Sequence, residues 1–129
     1  MESNITHYTT AIKTVLREYQ KFQTPNSAIE LLFDDDHLRY MVIRVGWHQQ
    51  KRIHLCLAHI DIVGDLVIIQ SNNTEAPLAA ELVDMGIPKD KIGLGFIPPE
   101  AQQYAEYSAQ CGVSDLLHHD ASLRHVVNA

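Results

Sequence analysis

The sequence predicts an α+β fold: an N-terminal helix, an antiparallel β-meander of about four strands, a second helix, a short further strand and a C-terminal helix. Three observations carry this reading. Apolar residues recur at helical spacing near the start, alternate with polar ones from about residue 27 to 70, and return to helical spacing after residue 74. At 129 residues, 46% apolar and 20% charged, the chain has the make-up of one ordinary globular domain.

The first helix is expected from about Asn4 to Gln23, with Ile5, Tyr8, Ile12, Val15, Leu16, Tyr19 and Phe22 on one stripe. Ser3 or Asn4 suits its N-cap, and Thr24-Pro25-Asn26 stops it. Lys13, Arg17, Glu18 and Lys21 read as its solvated face. In "SAIELLFD" Ile29, Leu31 and Phe33 share one face, and in "LRYMVIRVGW" Met41, Ile43, Val45 and Trp47 share one, opposite Tyr40 and Arg44. Asp34-Asp35-Asp36-His37 is a turn between these strands, and His48-Gln49-Gln50-Lys51 is the next hairpin connection. The third strand changes phase: Ile53, Leu55 and Leu57 are odd, Ile60 and Ile62 even, which predicts a bulge. Gly64-Asp65 supplies the following tight turn, and "LVIIQ" continues the sheet. Thr74 is placed to cap a helix carrying Leu78, Leu82 and Met85, which ends at Gly86. A short strand "IGLGF" follows, and Pro98-Pro99 opens a last helix through Ala101, Tyr104, Ala105 and Tyr107. The domain is placed at residues 1–107 and a partly helical C-terminal extension at 108–129. In that extension Val113, Leu116, Leu117, Leu123, Val126 and Val127 make an apolar stripe, suited either to packing on its own domain or to docking and self-association.

Charge and motifs narrow the function. Acidic residues outnumber basic ones 16 to 10, for a formal charge of −6. Duplex recognition through phosphates favours a basic stripe, yet the densest basic pair here is Lys51-Arg52, so any DNA contact is expected to be indirect or weak. Cys56 and Cys111 lack CxxC spacing, and no apolar run is long enough to cross a bilayer, so a cytoplasmic protein without membrane contact is expected. Cys56, between two leucines, reads as a buried, inert thiol. No phosphate-binding loop, nucleophile elbow or dinucleotide fingerprint is present, and no cofactor is expected.

The candidates for chemistry are histidines and carboxylates. His54 and His59 are five apart and fall on opposite faces of a regular strand, although a bulge would rotate one of them. His59 and Asp61 share a face about 7 Å apart, close enough for a hydrogen bond but supplying two ligands where zinc needs three or four. Asp34 to Asp36 read as a solvated loop in want of further oxygen ligands. His118, His119, Asp120 and His125 lack the spacing of a helical metal pair. The favoured reading is a partly buried His59 oriented by Asp61. The enzymatic alternative is a metal-assisted nuclease or hydrolase using His59, Asp61 and Asp34 to Asp36.

The ordered series "REYQ", "VGW", "KRIHLCLAHIDI", "VIIQ", "TE", "AAELVDMGIPKDKI" and "LGF" resembles the XisI family, the fdxN-element excision controlling factors found mainly in cyanobacteria. The resemblance spans about residues 4 to 107. It implies a small α+β fold and a regulatory part in excision of a DNA element by a site-specific recombinase, beside an XisH-type partner protein. Gly46, Trp47, Arg52, His54, His59, Asp61, Gln70, Thr74 and Glu75 match family positions. All but the glycine are candidate binding residues, the polar ones suited to a cleft between the sheet and the second helix. Three departures stand out: Asn72-Asn73 precede "TE" where an acidic residue is usual, Ile97 follows "LGF" in place of a His-type residue, and "PPEAQQYAEYS" replaces basic residues.

Overall fold

A computed structural model describes residues 2–102 and 104–119. Helix α1 (Glu2–Arg17) leads through a tighter 3-10 turn (Glu18–Phe22) into strands β1 (Ser27–Asp34), β2 (Arg39–His48), β3 (Lys51–Val63) and β4 (Leu66–Asn72). Helix α2 (Leu78–Asp84), strand β5 (Ile92–Leu94), the single turn α3 (Pro99–Gln102) and helix α4 (Val113–His119) follow. The strands lie in the order β1-β2-β3-β4-β5. The first four form the expected meander, and β5 joins β4 in parallel, which makes the sheet mixed.

The alternation in the strands decides which side meets the helices. Tyr8, Ile12, Leu16 and Tyr19 of the first helical segment pack with Tyr40, Val42, Ala58, Ile60, Ile62, Val67 and Ile69 on the inner face. Leu78, Leu82 and Ile87 close the core beside them. The odd apolar set of β2 therefore faces outward: Met41, Ile43 and Val45 are half-buried and Trp47 is exposed. Arg44, on the inner side, reaches the rim, where its Nη1 donates to Ser27 Oγ at 2.6 Å.

The phase change in β3 is a bulge. Val42 faces Ala58 while Ile43 faces Cys56, leaving Leu57 as the additional residue. A second irregularity follows in β4, where His59 faces Ser71 and Ile60 faces Ile69, with Gln70 unpaired between them. Each inserted residue bends the ladder and re-aims the side chains beyond it.

Several expectations are corrected. Ser3 and Asn4 lie inside α1 and do not cap it. Thr74 does not cap α2: Pro77 occupies that position without a side-chain bond, and Thr74 organises the preceding loop. Gly86 does end the helix in a left-handed turn (φ 99), with Ile87 N donating to Leu82 O. The last helix of the domain is only one turn, because the chain must swing back to bring Ser108 beside Gly93 on β5. Tyr104 and Ala105 sit in turns held by their amides to Ala101 O and Gln102 O. Cys56 is half-buried, with Sγ 3.6 Å from Ser71 Oγ. Lys13 is drawn from the solvated face into an ion pair with Asp35 at 2.8 Å. In the extension, α4 packs against β3. Asp120, Leu123, His125, Val126 and Val127 lie outside the described residues.

Candidate functional site

The two bulges assemble one buried polar cluster on the outer face. Asp61, in β3, is only 3% exposed. The inward alternation of Ile60 and Ile62 leaves its carboxylate on the outer side. His59 Nε2 donates to Asp61 Oδ1 at 2.9 Å, and Gln70 Nε2 donates to Asp61 Oδ2 at 3.1 Å. Arg39, paired with Asp61 across the β2–β3 ladder, adds a guanidinium 3.9 Å from Oδ2. The irregular register at Gln70 turns its amide toward Asp61, and Gly95 gives it room, because a Cβ there would meet Gln70 Oε1. The result is a carboxylate satisfied by the chain's own donors, as burial of a charged group requires.

The extension forms the lid. Ala109 N donates to Ile92 O at 3.2 Å, and Gly93 lets the Ala109 carbonyl lie where a Cβ would otherwise stand. Ile68, which is paired with Asp61 on the outer face, is thereby almost fully buried. Burial pushes the Cys111 thiol up from its ordinary pKa, and the nearby negative charges of Asp115 and Asp61 push it the same way.

The other candidate residues fall elsewhere. Trp47 and Arg52 face each other near the tip of the β2–β3 hairpin, the guanidinium 5.3 Å from the ring centroid. Beside them Gly46 is required by crowding, since a Cβ would strike Asn26 O and Ser27. His54 pairs with Val45, and His59 with Met41, so the bulge puts both histidines on the outer face, contrary to the regular-strand expectation. They remain about four residues, or roughly 13 Å, apart along the sheet. Thr74 lies behind the sheet: its Oγ1 donates to Asn72 Oδ1 at 2.7 Å and stands 3.4 Å from Tyr19 OH. Glu75 is exposed on the same loop. The cleft between the sheet and α2 is instead an apolar groove with Ile69, Pro77, Leu78, Leu94, Phe96 and Tyr107 in its lining, and none of the eight candidates borders it.

The Asp34 to Asp36 turn is knitted internally. Asp34 Oδ1 accepts from the amides of Asp36 and His37 at 3.0 Å, and Oδ2 lies 2.8 Å from His37 Nδ1. The His37 amide bond is the main reason Asp34 titrates below the usual carboxylate range. Asp35 is lowered first by its bond to Lys13 and then by Tyr40 OH at 2.7 Å. Among the described residues, no three His, Cys, Asp or Glu groups converge as a metal-ligand set. None of the helices among them is long and apolar enough to cross a membrane.

Two members of the cluster escape a motif search. Arg39 could have been found by counting back from the Gln49-Gln50 turn, which sets it opposite Ile60 on a regular hairpin and opposite Asp61 once one bulge residue is added. Gly95 carries no local signal, because its role depends on β5 joining the far side of the sheet.

Comparison with known proteins matches this architecture. The family model described as XisI protein matches residues 1–109. A crystal structure of a XisI-like protein from Anabaena variabilis is 30% identical, with a TM-score of 0.77, and the match covers 82% of this chain and 99% of that one. The fdxN element excision controlling factor XisI from the same organism is 24% identical at a TM-score of 0.71, covering 81% and 97%. No curated protein matches the chain. An α+β sheet of this topology and a family match over nearly the whole described domain lead to one assignment: the chain belongs to the XisI family.

Proposed function

We propose that this chain is a non-catalytic accessory protein of the XisI type, one that regulates excision of a DNA element by a site-specific recombinase through contacts with an XisH-type protein. It acts in the cytoplasm, where the DNA is, and touches DNA weakly or through its partner, in keeping with its net charge of −6. The observation that carries the non-catalytic reading is the state of Asp61: both carboxylate oxygens are engaged by His59, Gln70 and Arg39 beneath a folded-back segment. A general base or metal ligand needs an approach for substrate, and a carboxylate only 3% exposed and held by His59 and Gln70 is poorly placed to give one. The regulatory part rests on the family and on a relative named as an excision controlling factor.

Co-expression with the XisH-type protein of the same genome tests the reading. The expected result is a complex that survives gel filtration at micromolar concentration, and separate elution at that concentration overturns the partner assignment. Incubating the purified chain alone with DNA and Mg²⁺, Mn²⁺ or Zn²⁺ tests the other half. Cleavage that disappears in Asp61→Asn overturns the non-catalytic reading.

A further inference from the structure

The outer face of the sheet is covered around Asp61 and Ile68 and bare over β1, β2 and the His54 end of β3. On the bare half, Met41, Ile43 and Val45 are half-buried, Leu32 is 49% exposed and Trp47 is 52% exposed, and the exposed Glu30 lies beside Ile43 across the β1–β2 ladder. The two ends of this stripe differ in shape and charge. At one end, Leu32, Asp34, Asp36, Arg39 and Met41 line a shallow groove of about 680 Å³ with an apolar floor and an acidic rim. At the other, the β2–β3 hairpin presents Trp47 with the Arg52 guanidinium stacked on it. A knob of one chemistry and a groove of the complementary chemistry thus sit at opposite ends of one strand.

We propose that this half-face is the interface of a two-fold symmetric dimer, in which the Trp47–Arg52 knob of each copy seats in the Leu32–Met41 groove of the other. A two-fold axis through Ile43 reverses the strand direction between copies, so Met41 meets Val45 and each knob meets the opposite groove. Such an isologous contact uses every residue of the patch twice and closes on itself. The indole lies on the apolar floor while Arg52 meets the carboxylates of Asp34 and Asp36 at the rim, and Ile43 packs on its own copy at the centre. Two sheets facing each other across about 10 Å bury such a stripe in the manner of a β-sandwich. The free edge of β1 is a poorer interface. Gln23 Oε1 accepts from the Ile29 amide at 3.2 Å and Thr24 pairs with Ser27, so the first part of its outward backbone is already occupied.

Sedimentation equilibrium of the full chain through the micromolar range is the test, with fluorescence of Trp47, the only tryptophan, as a second readout. A dimer is expected, with the emission shifting to the blue and iodide quenching falling as concentration rises. Ile43→Asp, and Leu32→Asp as a variant at a more exposed position, are expected to give monomers with unchanged circular dichroism. Asp36→Lys and Arg52→Glu are each expected to weaken association about ten-fold or more by placing like charges together, and the double variant is expected to recover to within about three-fold. A monomer at every concentration overturns the proposal. So does a dimer that tolerates both aspartate substitutions, or one in which the charge exchange brings no recovery. Because the chain is studied without its partner, failure here leaves the co-elution test above untouched.

Discussion

The two faces of the sheet are built on different principles although the same strands make both. The inner face is a continuous apolar layer under α1 and α2, in which Tyr40, Val42, Ala58, Ile60 and Ile62 are fully enclosed. The outer face is discontinuous: an open half over β1 and β2 with an apolar stripe along β2 flanked by Glu30, then a polar cluster around Asp61 beneath the extension. Burial on the inner face is a matter of area, whereas on the outer face it depends on each donor finding its acceptor. The inner face therefore sets stability, and the outer face sets what surface the molecule presents.

Substitutions that remove side chains from each face test that contrast. Ile60→Ala, at the centre of β3 and inaccessible to solvent, is expected to cost about 3 kcal/mol through lost transfer energy and a residual cavity. Leu32→Ala on the outer face is expected to change stability by no more than about 0.5 kcal/mol. Urea unfolding measures both, and equal losses break the comparison. Next in size is Asp61→Ala, which leaves the donors of His59 and Gln70 without their acceptor beneath the extension, at about 2 kcal/mol. Asp61→Asn, which keeps one acceptor oxygen, is expected to lose about half as much. If both variants match the wild type, the cluster is ornament and the outer face has no structural centre.

The extension offers a sharper probe. Gly93→Ala puts a methyl group against the Ala109 carbonyl and within 3.0 Å of Ile68 Cδ1, so residues 108 onward must lift from β5. The expected global cost is about 1 kcal/mol, but the local effect is larger in kind. Cys111 loses the burial and the carboxylate neighbours that hold its thiol pKa up, so it is expected to react faster with a disulfide reagent near pH 8. An unchanged rate shows that the extension is not held at Gly93.

The contrast also explains what was legible in the sequence. Four strands, both main helices and the bulge were readable because each writes a local period: Ile29, Leu31 and Phe33 alternate, Leu78 and Leu82 repeat helically, and the parity of Ile60 and Ile62 breaks from that of Ile53 and Leu57. The His59–Asp61 bond was readable for the same reason, being two residues apart on one strand. What period could not supply was the partner across a ladder or the lid above it. Arg39 joins through register, Gln70 through an irregularity in a different strand, and Cys111 through a segment some fifty residues further on. Period likewise could not separate the candidates by face: Thr74 reaches Tyr19 on the inner side while His59 and Asp61 face outward.

The smallest expected effect concerns the junction between the faces, where Asp35 ties α1 to the sheet through Lys13 and Tyr40. Its pKa is lowered in the folded chain, so it contributes stability that is present above the unfolded carboxylate value of about 4 and disappears as pH falls through the folded value below it. The Tyr40 hydroxyl is shifted the opposite way, by burial first and by Asp35 second, so its share persists through neutral pH and fades only once unfolded tyrosine ionises above about 10. Because the Asp35 side chain is 56% exposed, solvent screening holds the total below about 1 kcal/mol. Asp35→Asn is therefore expected to lower stability by a small amount that is constant from about pH 5 to 9 and shrinks steadily as pH falls below about 4. A difference that instead persists undiminished into acid assigns the bond to packing of the turn, and charge at this junction then contributes nothing to joining the helix to the sheet.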